Sequence, residues 1–433
     1  MPLLEGLATA SAAAWAYLLV GHGSFWLTST RMPADPPEPH YWPSVGVIVP
    51  ARDEAAVLPE TLPTLLEQDY PGQLAVWLVD DSSSDGTAEL AHTYAERAGR
   101  RPSLTVLAAP VPPAGWTGKL NAVQCGVQAA SAAGVHLLLL TDADIAHHPS
   151  SVRRLVATAL ADDRDLLSLM ALLRTQTGWE RTLVPPFVYF FAQLYPFRRV
   201  ARPGSRTAAA AGGCVLLRRS SLERAGGLTR IRGKLIDDVA LGRLLKRSGA
   251  RTWLGFTGDP PEVRSVRPYP RLPDLWNMVT RSAYTQLRRS PMLLAGTLAG
   301  LGLLYVVPPV AGLTGLARRA PVPATAGLGA WAAMALTQAP VLRLYGLSPL
   351  RGLALPAVAT LYAAMAVDSA RRHAAGRGGA WKGRLASAGL EVLVDPRSAE
   401  HTWLREPRFP RARPGRVDQG AGRDARVDRR PWR

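Results

Sequence analysis

Long apolar stretches without charged side chains divide this 433-residue chain and limit what its two ends can fold into. Residues 6–30, 290–317 and 320–342 contain no Asp, Glu, Lys or Arg. A helix needs about 20 apolar residues to cross a bilayer, so each of these stretches is long enough. The run 352–367 is shorter and marginal by the same criterion. We therefore predict three membrane spans plus one interfacial segment at 352–367.

The basic residues beside these stretches predict an orientation. Arg31, the pair 288–289, Arg343 and Arg351 flank the apolar runs, and such residues favour the cytoplasmic side. This places the N-terminus outside and residues 31–289 and 343–433 inside, with only the pair 318–319 violating the rule. Glu5 and the absence of Lys or Arg before the first run favour a retained anchor over a cleaved signal peptide. We expect a protein of the cell inner (plasma) membrane with a cytoplasmic soluble domain.

Four parts of the chain follow from this division. They are an N-terminal membrane anchor helix (1–30), a soluble domain (41–289), C-terminal transmembrane or interfacial helices (290–370) and a basic C-terminal segment (371–433). The last 29 residues, 405–433, hold ten arginines and are rich in Pro and Gly, a composition that predicts disorder.

The net charge of +18 suggests a nucleic-acid partner, but no helix-turn-helix, zinc-finger or RNP-like pattern occurs, and we predict no nucleic-acid partner. Cys125 and Cys214 are too few for a disulfide framework.

The soluble domain has the alternating pattern of an α/β fold. Apolar strand-like runs occur at 45–49, 74–79, 104–107 and 136–140, and a turn and a helical pattern follow each run. Such alternation predicts βαβ units and a mostly parallel sheet. Ligands of these sheets bind at the carboxyl ends of the strands, and acidic residues stand at those ends here.

The ends of the first two predicted strands each carry a pair of acids. Asp53 and Glu54 follow the first strand at a helix start, where simple helix capping is the competing interpretation. Asp80 and Asp81 end the second strand and repel each other unless a cation or a hydrogen-bond donor is bound. A ribose or a base would supply such donors.

An Asp-Ala-Asp triplet ends the fourth predicted strand. Residues i and i+2 of an extended chain point the same way, so Asp142 and Asp144 can present two carboxylates to one point. Hard divalent ions such as Mg²⁺ or Mn²⁺ bind such oxygens and share them with substrate phosphates. The triplet therefore predicts a divalent metal site, although an isolated Asp-x-Asp pattern is common by chance.

Two further segments carry candidate groups. Lys119 follows Gly118 at a helix start, a position suited to phosphate, but the spacing is not that of a P-loop. Asp237 is a natural N-cap for an apolar-faced helix that holds Leu241 and Leu244. Asp238 then lies in the first turn, where a carboxylate can accept a proton from an alcohol or simply favour the helix start.

Taken together, these segments resemble the family 2 glycosyltransferases of the GT-A fold over residues 44–290. The resemblance is carried by Val49–Glu54, Val79–Thr87, the DXD motif at 142–144 and Asp237–Asp238, which occur in the family's order. It implies a Rossmann-like, mostly parallel sheet with flanking helices, and an inverting hexosyltransferase that uses a nucleotide-diphospho sugar, typically a UDP-sugar, and a divalent metal.

The resemblance also implies roles for single residues. Asp53, Glu54 and Asp81 would hold the nucleoside, Asp142 and Asp144 would serve nucleotide and metal, and Asp238 would be the base. Asp237 stands where many members have Glu, and no Gln-x-x-Arg-Trp motif follows it, which argues against processive polysaccharide synthesis. Arg281 in that region is a candidate phosphate contact.

Further segments are similar to the hopanoid-associated members of the family. They are 179–197, 208–214, 236–241, 283–288 and 381–384. Residues 115–119 are similar to lipid-modifying members that act on carotenoid-type or hopanoid-type lipids. Gly212 and Gly213 would permit close approach of a ligand or merely make a tight turn. The aromatic run 187–197 with its neighbouring arginines suits a segment in the headgroup region, and a buried core helix is the competing interpretation.

The similarity implies a lipid acceptor in hopanoid metabolism. Acceptors of the polyprenyl-phosphate or carotenoid type, and a non-enzymatic membrane scaffold with a sugar-nucleotide domain, remain as alternatives. A nucleotidyltransferase would need a glycine-rich triphosphate loop, which does not follow the first strand.

Overall fold

The computed structural model describes residues 2–97 and 102–378. The strands are β1 (Val45–Ala51), β2 (Leu74–Asp80), β3 (Ser103–Ala108), β4 (Leu137–Leu140), β5 (Ile145–His147), β6 (Leu166–Met170), β7 (Val215–Arg218), β8 (Thr252–Phe256) and β9 (Val263–Ser265). The first helices are α1 (Pro2–Val20), α2 (Leu58–Leu66), α3 (Thr87–Arg97), α4 (Gly118–Ala132), α5 (Ser151–Ala161), α6 (Gly178–Leu194), α7 (Phe197–Val200) and α8 (Arg219–Arg224). They are followed by α9 (Asp237–Arg247), α10 (Leu272–Thr280), α11 (Ala283–Gln286), α12 (Pro291–Leu301), α13 (Val307–Ala317), α14 (Pro321–Leu344) and α15 (Leu355–Ala374). Leu228–Ile231 and Pro349–Ala354 are 3-10 helical, and Gly302–Val306 is π-helical.

Seven strands form one sheet in the order β3-β2-β1-β4-β7-β6-β8. Strand β1 is parallel to both β2 and β4, β2 is parallel to β3, and only β7 runs antiparallel to its neighbours. The four strands predicted from the sequence are β1 to β4, which confirms the mostly parallel GT-A-like sheet with flanking helices. Their carboxyl ends meet at one edge, where Ala51 is in register with Asp80.

The sheet forms because its central strands are apolar on both faces. Every residue of β1 and β4 is buried. Val45, Val47 and Val49 pack on the side of α2 and α5, whereas Ile48 packs on the side of α4 and α9. Strands covered on both faces read as continuous apolar runs, which is why they were recognisable in the sequence.

Three helical segments are long and apolar enough to cross a membrane: Pro2–Val20, Pro291–Ala317 and Pro349–Ala374. The first two agree with the predicted spans, although the first helix ends at Val20 rather than at residue 30. The third differs, because on length and composition Pro349–Ala374 qualifies and the predicted span 320–342 does not. The latter segment lies in α14, whose buried Thr337 and Gln338 lower its hydropathy.

The segment after α14 doubles back along that helix. The hydroxyl of Tyr345, just after α14, accepts a hydrogen bond from the backbone N–H of Leu173. Leu353 then lies beside Trp331, whose indole N–H donates to its carbonyl at 3.1 Å. Helix α15 returns, and Ser369 near its end donates to the carbonyl of Thr280. Both ends of this segment therefore lie against the soluble domain.

Candidate functional site

A cleft of about 470 Å³ opens at the carboxyl ends of the central strands. Its walls come from the ends of β1 and β4, from the start of α4, and from segments around α9, α10 and the end of α15. The acidic lining residues are Glu54, Asp142, Asp144, Asp237 and Asp274, and the basic ones are Lys119, Lys234, Arg267, Arg281, Arg372 and Arg377. The cleft is thus strongly polar and carries both charges.

Lys119 connects the end of β4 with the start of α9. Its ammonium lies 2.8 Å from a carboxylate oxygen of Asp142 and 3.4 Å from one of Asp237. Burial alone would lower the pKa of Lys119, but the two carboxylates more than offset this and raise it, so the lysine stays charged. Burial and the nearby Asp144 raise the pKa of Asp142 against the lowering effect of Lys119. The predicted phosphate-binding lysine therefore holds two of the predicted site carboxylates together.

Arg267 likewise holds two cleft carboxylates together, those of Glu54 and Asp144. One of its terminal nitrogens donates to both carboxylate oxygens of Glu54, at 2.8 and 2.7 Å. Its Nε donates to Oδ2 of Asp144 at 3.1 Å, and Ser265 donates to the same oxygen at 2.8 Å. Two acids that follow β1 and β4 thus share one guanidinium, whose positive charge offsets theirs.

Asp238 occupies the first turn of α9 and is held by backbone groups. The N–H of Gly212 donates to one carboxylate oxygen at 2.9 Å, and the N–H of Val239 donates to the other at 2.7 Å. Burial and the neighbouring Asp237 raise the pKa of Asp238 to about 6. Asp238 lines a small pocket that shares Lys119, Asp142 and Asp237 with the main cleft. It is therefore an oriented carboxylate whose pKa suits proton transfer near neutral pH.

The acids that follow β1 and β2 lie in two adjacent turns that are hydrogen-bonded to each other. Asp53 accepts a hydrogen bond from the N–H of Ser84 at 2.8 Å, and Asp80 accepts one from that of Ser83 at 3.2 Å. Arg52 lies 3.7 Å from the buried carboxylate of Asp81. Asp53 and Ser82 both have positive φ, of 50° and 55°, a strained conformation that non-glycine residues seldom adopt.

These turn acids do not line the main cleft. Among the acids predicted at the ends of the first two strands, only Glu54 lines the cleft. Asp53, Asp80 and Asp81 lie at the same edge of the sheet but outside the cleft lining. Within the described residues, Oδ1 of Asp80 is buried and accepts no hydrogen bond. A buried oxygen without a donor is costly, so this turn has capacity for a further donor.

The remaining predicted site residues separate into two groups. Arg281 lines the cleft, and Gly212 lies where an added Cβ would come within 3.3 Å of Asp238 and 3.7 Å of Asp142. Gly213 instead faces the interior, because a Cβ there would meet Ile145 at 3.0 Å. A side chain at position 212 would therefore crowd the site carboxylates, and one at position 213 would crowd the core.

The donor set fits a hard divalent ion in part. In the described part of the chain no group of three or more His, Cys, Asp or Glu residues could hold a metal by itself. Yet Asp142 and Asp144 both line the cleft, and Oδ2 of Asp142 and Oδ1 of Asp144 accept no hydrogen bond from any described residue. Two such oxygens suit Mg²⁺ or Mn²⁺ when substrate phosphates complete the coordination.

Sequence reasoning missed several cleft residues. Arg267 and Tyr269 come from the segment after β9, and Asn277 and Arg372 come from α10 and α15. Arg267 is one of many arginines, and no local pattern distinguishes it. Arg372 lies 91 residues beyond Arg281, the last predicted site residue, so only the fold brings it to the cleft.

Comparison with known proteins gives a family for part of the chain. Residues 46–226 match the family model described as glycosyl transferase family 2. This match covers β1 to β7 and includes the acids of the first, second and fourth strands, but ends before α9.

Individual relatives agree with this match. An N-acetylglucosaminyltransferase of Mesorhizobium japonicum is 40% identical over 79 residues, 17% of this chain and 18% of the relative. One of Rhizobium leguminosarum is 34% identical over 129 residues, 30% of this chain and 28% of the relative. The chain thus matches less than a third of the length of these curated relatives.

A solved structure extends the likeness beyond the matched family segment. The mannosyltransferase PcManGT from Pyrobaculum calidifontis, solved with GDP-Man and Mn²⁺, is 22% identical to this chain. It superposes with a TM-score of 0.51 and covers 86% of this chain and 99% of its own. This likeness supports a GT-A-like fold for the chain.

Proposed function

We propose that the chain is a membrane-bound, inverting glycosyltransferase of family 2. It moves a sugar from a nucleotide-diphospho sugar to a lipid hydroxyl, in hopanoid metabolism. The observation that carries this proposal is Asp238, an oriented carboxylate beside a cleft that holds the acids of β1 and β4. The family match of residues 46–226 supports the reaction class.

The nucleotide-sugar donor is proposed to bind with its nucleoside at the turns that follow β1 and β2 and with its diphosphate and sugar in the cleft. The donor-binding residues would be Asp53, Glu54, Asp80, Asp81, Lys119 and Asp142. The strained turn at Asp53 and Ser82 and the unsatisfied oxygen of Asp80 support a nucleoside there. PcManGT was solved with GDP-Man, and relatives are named N-acetylglucosaminyltransferases, so the sugar and the base of this donor are left to experiment.

The acceptor hydroxyl is proposed to meet Asp238. The hydroxyl oxygen forms a bond to the anomeric carbon while the bond from that carbon to the diphosphate breaks from the opposite face, which inverts the centre. The proton of the hydroxyl passes to the carboxylate of Asp238. The N–H groups of Gly212 and Val239 orient this carboxylate, and Asp237 helps keep its pKa raised. Lys119 limits the repulsion between Asp237 and Asp238, and as a cation in the cleft wall it would contact a phosphate of the donor.

Asp142 and Asp144 would hold the divalent ion through their free oxygens, as Mn²⁺ in PcManGT suggests. When bound, such an ion stabilises the negative charge that develops on the leaving diphosphate. Arg267 keeps Asp144 and Glu54 in place and reduces the net charge of this wall.

The acceptor is proposed to arrive from the bilayer. Three candidate membrane helices belong to the same compact unit as the cleft, and α15 supplies part of its wall. Phe190 of helix α6 packs against Tyr305 and Tyr362 of two of these segments. The hydroxyl of the adjacent Tyr189 is hydrogen-bonded to that of Thr337 in α14. A lipid hydroxyl can thus approach from the membrane while a water-soluble donor enters from the cytoplasm.

A transfer assay tests the proposal. The purified full-length chain is incubated with radiolabelled UDP-GlcNAc, UDP-glucose or GDP-mannose and Mn²⁺, with either a hydroxylated hopanoid or a polyprenyl phosphate supplied. Label that becomes extractable into organic solvent with the hopanoid supports the proposal. Transfer only to the polyprenyl phosphate would establish the alternative acceptor, and no transfer from a wide donor panel would favour a non-enzymatic scaffold.

A further inference from the structure

The two walls of the cleft carry opposite charge. The sheet edge presents Asp142, Asp144 and Glu54, which Lys119 and Arg267 partly neutralise. The wall made by α10 and the end of α15 carries one acid, Asp274, which pairs with Arg271, a residue that does not line the cleft. The same wall presents three arginines: Arg281, Arg372 and Arg377. We name these three residues the arginine wall.

The arginine wall has little acidic compensation. Within residues 2–97 and 102–378, neither Arg281 nor Arg377 makes an ion pair or a side-chain hydrogen bond. Arg372 pairs with one acid, Asp368, at 2.9 Å. Guanidinium groups that face a cleft without acidic partners favour an anionic ligand, and phosphate is the anion whose geometry they match.

Arg372 is held in position by its neighbours. The carboxylate of Asp368 accepts one hydrogen bond from the indole of Trp276 at 2.8 Å and one from Nε of Arg372. Nη1 of Arg372 donates to the side-chain oxygen of Asn277 at 2.8 Å. Its second terminal nitrogen has no partner among the described residues and remains available at the cleft. A cation fixed in this way binds an anion at a lower entropic cost than a flexible one.

The position of Arg372 follows from the course of the membrane segment. Helix α15 returns from its contact with Leu183, where Tyr362 donates to the carbonyl at 2.8 Å, to the end of α10. Ser369 also accepts the N–H of Tyr284 at 3.0 Å, which fixes the last turns of α15 against α11. The membrane part of the chain therefore completes a site that the soluble domain begins.

We propose that Arg281, Arg372 and Arg377 form a phosphate-binding site, with Arg372 and Arg377 contributed from the end of the membrane segment. This inference rests on the proposed function for the source of the phosphate. Under the proposed function that source is the diphosphate of the nucleotide sugar; under the alternative acceptor it is the phosphate of a polyprenyl phosphate. The chemistry is the same in both cases, and the experiment separates them.

The test measures binding without turnover. The full-length chain in detergent is titrated with UDP, with GDP and with a short-chain polyprenyl phosphate, each in the presence of Mn²⁺. Variants are Arg372→Gln and Arg377→Gln. The matched control is Arg371→Gln, which removes an exposed neighbouring arginine that does not line the cleft. Because Arg377 has no described partner, its loss leaves the folded contacts intact.

We expect Arg372→Gln to weaken binding of one phosphate probe about tenfold or more, and Arg377→Gln to weaken the same probe, with the control within about twofold. Weaker UDP or GDP binding assigns the wall to the donor, and weaker polyprenyl-phosphate binding assigns it to the acceptor. Unchanged binding of every probe in both variants would overturn the inference, as would a wild type that binds none of them.

Assays of sugar transfer on the same preparations distinguish failure of the phosphate-site inference from failure of the proposed function. Sugar transfer by the wild type together with unaffected variants would refute the arginine wall alone. Weakened probe binding without any sugar transfer would refute the proposed function alone.

Discussion

Backbone groups orient the carboxylate of Asp238, whereas burial and the neighbouring charges set its basicity. The N–H of Gly212 donates to one oxygen, and a Cβ at this position would crowd that oxygen at 3.3 Å. Burial and Asp237 weaken the acid, whereas Lys119 strengthens it. The result is a pKa of about 6, so the residue is mainly ionised at neutral pH and can still accept a proton.

This pKa sets the pH dependence of the reaction. Only the ionised form of Asp238 accepts a proton, so we expect the rate of transfer to rise with pH through about pH 6 and then to level off. The measurement is kcat against pH at saturating donor and acceptor. A rate that stays constant from pH 5 to pH 8 would exclude Asp238 as the base.

Asp144 is predicted to bind the divalent metal and not to take part in proton transfer. Asp144→Ala removes one of the two free carboxylate oxygens and leaves Arg267 with Glu54 alone. We expect the affinity for nucleotide in the presence of Mn²⁺ to fall about tenfold or more, and the affinity without metal to change little. Calorimetric titration of UDP and GDP, with and without Mn²⁺, measures both values.

Asp162→Ala, which removes an exposed acid at the end of α5, is the control for that titration. Equal loss of nucleotide affinity with and without Mn²⁺ in Asp144→Ala would indicate a role in local structure instead.

Helices and strands differ in how well the sequence predicts them here. Strands β1, β2 and β4 are recognisable because both of their faces are buried, whereas β3 is a partly exposed edge strand. The acids that follow β1, β2 and β4 lie at the carboxyl edge of the sheet. The candidate membrane helices are harder to predict, because a helix that packs against protein differs in composition from one that faces lipid. Helix α14 is enclosed by α1, α6 and α13, so it carries buried polar and small residues that lower its hydropathy.

The contact between α13 and α14 depends on small residues. A Cβ at Gly327 would come within 2.3 Å of the backbone of Gly312, whereas a Cβ at Gly329 would meet nothing within 4 Å. Close helix contact of this kind is typical of membrane bundles. We expect Gly327→Leu to destabilise the protein by about 2 kcal/mol or more, because the helices must separate.

Gly329→Leu, two residues away on the same helix, is the matched control and should have little effect. Thermal unfolding of both variants in the same detergent measures the difference. Equal unfolding temperatures for the two variants would show that α13 and α14 do not pack as described.

The course of the whole chain favours three crossings with a hairpin at the end. Helix α14 is about 36 Å long at 1.5 Å per residue, enough to cross a bilayer, and it runs from the turn at Arg318 to the soluble domain at Leu173. The segment Pro349–Ala374 begins four residues after Tyr345, which contacts the soluble domain at Leu173, and ends against that domain at Thr280. On this interpretation, which we propose, the segment enters the membrane region and returns on the same side.

The sequence predicts part of this arrangement. Its basic flanks place residues 31–289 and 343–433 on one side, in agreement with the proposed hairpin. It does not predict Arg372 in the cleft, because that contact depends on the return path of α15 rather than on any local pattern. The similarity at 381–384 and the predicted disorder of 405–433 fall outside the described residues.

Cysteine labelling tests the proposed topology. In a Cys125→Ser background, where Cys214 is buried, Ser84→Cys reports on the soluble domain and Arg319→Cys on the α13–α14 turn. A membrane-impermeant maleimide should label residue 84 in inside-out vesicles and residue 319 in right-side-out vesicles. Labelling of both positions from the same side would contradict a crossing by Pro291–Ala317.

The central claim is that Asp238 accepts the proton of an acceptor at a cleft that binds a nucleotide sugar. The most direct measurement compares wild type and Asp238→Asn for both transfer rate and nucleotide affinity. The asparagine keeps the size of the side chain but cannot take up the proton, so we predict a loss in kcat of about 10²- to 10⁴-fold with nucleotide affinity within about threefold of wild type. A variant that retains a substantial part of the wild-type kcat would contradict the account.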